Sequence, residues 1–239
     1  MNPKQQVENL IKQKPLERLT YSEQYSKGLA FIIRATDDAA LMYAEYMNLH
    51  LLMANSDEAA LSVLKGTNDI ELIISDLPSF DNKLKDMYSL KLALPCYTVA
   101  YLKKEPILVA DDVHISPINI NQLYIIDEHY SLMSTEGIKN AILSGRLYGG
   151  YMNGEWVGFI GLHKEGTMGM LHIFEKFRRR GMGYTLQALL INRLLELGEI
   201  PYGHVVKNNQ ASLMLQKRIG MEKSKGTISW LSKDELWMA

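Results

Sequence analysis

The chain has 239 residues, 47% apolar and 22% charged, with a formal net charge of −1. This length supports one large or two modest domains with proper cores. The near-neutral charge offers no general attraction to nucleic acid, and no apolar run is long enough to span a bilayer. With no signal peptide and a lone cysteine, Cys96, the expected setting is a reducing cytoplasm with no membrane contact. Cys96 lies in the apolar run Leu92 to Leu102 and reads as core rather than nucleophile. The six histidines are scattered without metal-ligand spacing, so no metal is expected.

The first thirty residues are polar and helix-prone, with Val7, Leu10 and Ile11 on one face and Pro15 as a breaker. Leu29 to Ile33 predicts a buried strand. Leu41 to Met53 is apolar and ambiguous between helix and strand. Asp57 predicts the cap of a short helix to Leu64, ended by Gly66. Glu71 to Ile74 predicts a strand, Pro78 to Tyr88 a helix, and Leu90 to Leu102 one or two strands interrupted by Pro95. This half is mixed α/β and carries no chemical motif. Asp111 and Asp112 mark the expected junction, which gives an N-terminal α/β lobe over 1–110 and a second domain over 111–239.

The second domain opens with a strand, Val113 to Ser116. Helices are predicted over Asn121 to Tyr130 and Thr135 to Ser144, the latter capped by Thr135 or Ser134 and closed by Gly145. Asn153-Gly154 is a hairpin signal joining strands Leu147 to Met152 and Trp156 to His163. Lys164-Glu165-Gly166 turns into a strand from Thr167 to Phe174. A basic loop follows, Arg178-Arg179-Arg180-Gly181-Met182-Gly183. Leu186, Leu189, Leu190, Leu194 and Leu197 then give a long helix with Gly198 past its end. Tyr202 to Val206 predicts a strand, Asn209 to Arg218 a helix closed by Gly220, and Gly226 to Leu231 a last strand.

The basic loop suits an anion. A helix start leaves backbone N–H groups unpaired at the positive end of the dipole, and the glycines let a ligand approach the backbone. A P-loop requires Lys-Ser or Lys-Thr after the second glycine, whereas Tyr184 and Thr185 follow Gly183. A dinucleotide fingerprint requires a third glycine or alanine where Leu186 stands. Arg178-x-x-Gly181-x-Gly183, between a strand and a helix, resembles the coenzyme A pyrophosphate loop of the GNAT superfamily of N-acetyltransferases. The segment Asn209 to Met221 and the hairpin Gly158-Phe159-Ile160-Gly161 resemble further motifs of that family. The element order from about 113 to 232 is also similar.

The resemblance implies a mixed-sheet α/β fold of the GNAT type, with the N-terminal lobe either a degenerate GNAT-like half, as in glycine N-acyltransferases, or a substrate-shaping domain. It implies acetyl-CoA (coenzyme A) in a wedge between the strand ending at Phe174 and the strand Tyr202 to Val206. The backbone of Ile173 and Phe174 would pair with pantetheine. The amides of Arg180, Gly181, Met182, Gly183 and Tyr184, with Arg178 or Arg179, would hold the pyrophosphate. Asn209 would touch the pantetheine arm, with capping of its own helix as the plain alternative, and the two roles can coexist. The places where many relatives carry the base and the acid hold Thr167 and Gln216, and neither can titrate. His163 and Glu165 are the substitutes for the base, against a strand-end histidine and a solvated turn residue as the plain alternatives. Tyr202 and His204, on the neighbouring strand, read as core with the acid as their alternative role, and His172 reads as packed. The expected reaction is acetyl transfer to the primary amine of a small molecule or amino acid, with a homodimer left open. The rival is a non-catalytic CoA-binding sensor or partner module.

Overall fold

A computed structural model describes residues 1–110, 112–131 and 133–234. Asp111, half of the expected junction, lies outside the described residues. The chain forms two compact units: Met1–Thr98 with Val205–Asn208 and residues 223–234, and Val99–His204 with Asn209–Glu222. The first half runs α1 (Pro3–Gln13), α2 (Leu19–Ser26), β1 (Phe31–Ala35), β2 (Ala39–Ala44), β3 (Leu49–Ala54), α3 (Asp57–Leu64), β4 (Leu72–Ser75), α4 (Asp81–Tyr88) and β5 (Leu92–Ala100). After β6 (Val113–Pro117) come α5 (Leu123–His129), α6 (Thr135–Leu143), β7 (Leu147–Met152), β8 (Glu155–Leu162), β9 (Met168–Ile173), α7 (Met182–Glu196), β10 (Tyr202–Val206), α8 (Gln210–Ile219), β11 (Glu222–Lys223) and β12 (Ile228–Ser232). Apart from β6 and β11, both halves have the same order: two helices, three strands, then helix, strand, helix, strand.

Local chemistry sets most boundaries. Asn2 forms a capping box with Gln5 and Pro3 opens α1, which buries Val7 and Leu10. Ser56, not Asp57, caps α3, by accepting from the Ala59 amide; Asp57 and Glu58 fill the first turn. The ambiguous run Leu41 to Met53 is two strands, because Asn48 turns the chain at φ 51°. Asn153 and Gly154, at φ 51° and 81°, make the expected tight hairpin. Two expectations are corrected. The strand near Leu29 is not buried: β1 is the sheet edge, and Phe31 is 54% exposed. Pro95 does not interrupt its strand. Its carbonyl accepts from Lys207 just past the end of β10, so the amide that proline lacks falls where pairing has stopped.

One sheet has the order β1-β2-β3-β4-β12-β5-β10, with β11 beside β5. In it β3 and β4 pair in parallel, Leu49 with Leu72 through Leu52 with Ser75. The other sheet is antiparallel, in the order β6-β7-β8-β9, which leaves β9 at its edge. Beneath it Ile126, Ile138, Ala141, Ile142, Leu147, Phe159 and Met170 form a core with α5 and α6. Gly150 in β7 is required by packing: a Cβ there would lie 2.3 Å from Leu186 of α7.

In the first unit, Ser229 of β12 donates to Asp81 of α4 at 2.6 Å. Burial outweighs that bond and pushes the Asp81 carboxyl from 3.8 up to about 6. Because the folded state then binds more protons than the unfolded state between these values, stability falls as pH rises through that window and stays reduced above it. Asp81→Asn removes the charge and retains an acceptor for Ser229. It is expected to stabilise the protein at pH 7 by ~1–2 kcal/mol, after discounting for partial exposure, and by almost nothing at pH 3.5. Chemical denaturation at the two pH values measures this.

Candidate functional site

The basic loop ends at Gly181, which holds the N-cap place of α7 at φ 82° with no side-chain cap. A Cβ at Gly181 would meet nothing within 4 Å, and one at Gly183 would come no nearer than 3.9 Å to Leu171. Arg179 also adopts a left-handed backbone, φ 58°, which is costly outside glycine and is found at ligand loops. Thr185 is the first amide of α7 with a carbonyl inside this turn, that of Gly181. The amides of Met182, Gly183 and Tyr184 precede it, at the helix end where no intrahelical acceptor exists. Arg178, Arg179 and Arg180 are exposed beside them, and the first turn holds no acid. Tyr184 carries Arg218 over its ring at 5.3 Å. The loop thus gathers cations and bare amides with no counter-anion in the helix start, an arrangement suited to a diphosphate.

From this loop β9 leads away as an open edge. It pairs with β8 but carries one extra residue: Phe159 faces His172 while Gly161 faces Gly169. Met170 in between has φ 53°, so this is a β-bulge. The hydroxyl of Tyr130 bonds the backbone of Met170, and burial pushes that phenol up to about 12. Nothing in the sequence marked Tyr130 for this role. Past the bulge the Phe174 amide donates to Val157 at 3.0 Å. The expectation that the backbone of Phe174 pairs with pantetheine is therefore corrected, since its carbonyl is also taken, by the Phe177 amide at 2.9 Å. By strand alternation, Leu171 and Ile173 face the free edge. The Ile173 carbonyl accepts from Arg178 Nε at 2.9 Å, which draws that guanidinium back towards the strand. Leu171 was missed because the bulge that sets its direction has no sequence signal.

At the other end of β9 the titratable groups gather. The His163 amide donates to Thr167 and its carbonyl accepts from Gly166, closing the turn. Within that turn Glu165 is 8% exposed. Its carboxylate accepts from the Thr167 hydroxyl, and its carbonyl accepts from Tyr202 at 3.0 Å. The solvated-turn alternative for Glu165 is thereby corrected. The His163 ring lies over Gly169, where a Cβ would be 2.2 Å from Nε2. On β10, Gly203 approaches the start of β9 so closely that a Cβ would meet the Met168 carbonyl at 2.8 Å. Next to it, burial first and the adjacent His163 second push His204 down to about 3, so its imidazole is neutral at physiological pH.

The remaining candidates have structural work. Asn209 caps α8 by accepting from the Ser212 amide at 3.0 Å. Gln216 is buried and exchanges amide hydrogen bonds with Gln187. His172 stacks on Phe159 at 5.3 Å. Cys96 is buried, and its thiol is pushed up to about 12. Among the described residues no cluster of His, Cys, Asp or Glu could hold a metal ion, and no helix is long and apolar enough to cross a membrane.

Residues 148–231 match the family model of FR47-like proteins. Comparison of the sequence with curated proteins gives no match. The fold is similar to that of a Drosophila protein, at 14% identity over 97% of this chain and 96% of that one, with a TM-score of 0.64. It is similar to a Novosphingobium aromaticivorans protein described as an acetyltransferase of the GNAT family, at 12% identity over 91% and 96% of the two chains, with a TM-score of 0.55. A GCN5-related N-acetyltransferase from Kribbella flavida gives 12% identity, 91% and 95% coverage and a TM-score of 0.54. The chain thus carries an FR47-like segment over residues 148–231 and shares its mixed-sheet fold with these GNAT-family acetyltransferases.

Proposed function

We propose that the chain is an acetyl-CoA-dependent N-acyltransferase that moves an acetyl group to the primary amine of a small molecule or amino acid. The observation that carries this reading is the free edge of β9, which runs from a cation-flanked helix start to a histidine. The residues fit coenzyme A. The space beside Gly181 is open, the amides of Met182, Gly183 and Tyr184 lack helical acceptors, and Arg179 and Arg180 supply charge. Leu171 and Ile173 offer edge amides for an extended arm. When bound, acetyl-CoA supplies an activated acyl thioester.

The chain's own task is the amine. An alkyl ammonium of pKa about 10.4 costs roughly 4–5 kcal/mol to deprotonate at neutral pH. His163 takes that proton on its imidazole, next to a neutral His204 that adds no positive charge. Glu165, held by the Thr167 hydroxyl, fixes the turn that carries His163. One observation favours the second reading, a CoA-binding sensor. Gln216, where many relatives carry the acid, is locked to Gln187, and Thr167 does not titrate. Thiol release from acetyl-CoA over a panel of small amines and amino acids separates the two. Turnover with any of them supports the enzyme; tight binding without turnover across the panel supports the sensor.

Gly181→Glu tests the ligand site independently of the acceptor. A carboxylate about 6 Å from a diphosphate costs roughly 2–3 kcal/mol at an effective dielectric constant near 20. Acetyl-CoA affinity should therefore fall about 100-fold by calorimetry. Gly181→Asn tolerates the left-handed backbone and should bind within a few-fold of the parent. Unchanged binding in Gly181→Glu would remove this loop as the site.

A further inference from the structure

We propose that Gly169 is a positioning residue for His163: by having no side chain it makes the seat in which the imidazole is held at the vertex of β9 and β10. The inference rests on the reading of His163 as the base, and it adds what holds that base in place. Nε2 and Cδ2 of His163 would lie 2.2 and 2.6 Å from a Cβ at Gly169, so the ring occupies the very volume that any side chain there would fill. Gly169 is not needed for its backbone, since its φ lies outside the left-handed range. It is not needed to admit a neighbouring backbone either, unlike Gly203 against Met168 or Gly161 against Arg146. The three atoms nearest to a Cβ there all belong to that ring, and alanine would fold there by moving it aside. His163 comes from the end of β8, and β8 places Gly161 opposite Gly169, so the base arrives from the neighbouring strand. The groups near it are His204 on β10, kept uncharged, and Glu165 and Lys164 on its own turn.

The test uses the full chain in four forms: parent, His163→Ala, Gly169→Ala and the double variant. The readouts are kcat/KM against pH with the best amine of the panel, acetyl-CoA affinity, and ring NOEs. In the parent, the His163 ring protons should show NOEs to the Gly169 Hα. Gly169→Ala should lose them, lower kcat/KM at least tenfold, distort the acidic limb of the pH profile as His163→Ala does, and keep acetyl-CoA affinity within twofold. The double variant should be no slower than His163→Ala. If Gly169→Ala keeps the parent's rate and pH profile, or if the two losses multiply, the positioning role is wrong while His163 can remain the base. If His163→Ala leaves the pH profile unaltered, the base assignment falls and takes this role with it. Absence of the ring NOEs in the parent overturns the seat without recourse to any variant.

Discussion

His163→Ala is expected to lower kcat/KM by about 10²–10⁴, the usual worth of a positioned general base. The loss should lie in the rate of transfer, because the imidazole stands at the far end of β9 from the glycine-lined loop. Acetyl-CoA affinity should change less than twofold. The pH profile gives the sharper discrimination. A general base acts only in its deprotonated form, so the parent's profile should carry an acidic limb that depends on this side chain. The variant should lack that limb and climb instead only as the free amine itself deprotonates. His204 cannot stand in, since burial and His163 push its pKa to about 3 and leave it a very weak base. An unaltered profile in His163→Ala would transfer the role to Glu165 or to solvent.

Where the fold was legible in the sequence, the signal was local. The Asn153-Gly154 turn, the Ser134 cap and the Gly198 and Gly220 helix ends need only their own backbone preferences, and all appear. The loop at Gly181 was legible for the same reason. What the sequence hid depends on partners far along the chain. Phe31 reads as core by hydropathy and is exposed because β1 has a neighbour on one side only. Pro95 reads as a breaker and is tolerated because β10 stops beside it. The Phe174 amide and the edge amide of Leu171 trade places because of one residue inserted at Met170, whose left-handed backbone nothing in a methionine announces. The His163 seat is invisible for the same reason: only the sheet register brings it over Gly169.

The two halves share an element order and differ at the points where a diphosphate would have to bind. In the second half β9 lies at a sheet edge and α7 follows three arginines and its N-cap Gly181; in the first, β3 and β4 pair for four residues and α3 begins with Asp57 and Glu58. An acidic helix start repels a diphosphate, and a paired strand has no edge to offer. Where that pairing ends, a buried ion pair takes over. Asp76, just after β4, accepts from the Ala54 amide at 2.8 Å, from Arg18 Nε at 2.6 Å and from Lys14 at 3.3 Å. The Arg18 guanidinium, with no exposed side-chain surface, also reaches the Leu10 carbonyl and Asn55. One fork thus ties α1 and the start of α2 to the ends of β3 and β4. Arg18→Met keeps the volume and strands the carboxylate, so it should cost about 3–5 kcal/mol of stability by denaturant titration. Arg18→Met with Asp76→Leu should recover only part of this, because the Ala54 amide and the Leu10 carbonyl stay buried and lose their partners. A full recovery would show that the pair is merely space-filling. The same seal predicts one equivalent of acetyl-CoA bound per chain, in the parent and in a still-folded Arg18→Met alike; a second equivalent in either would mean that the first unit's strands part after all.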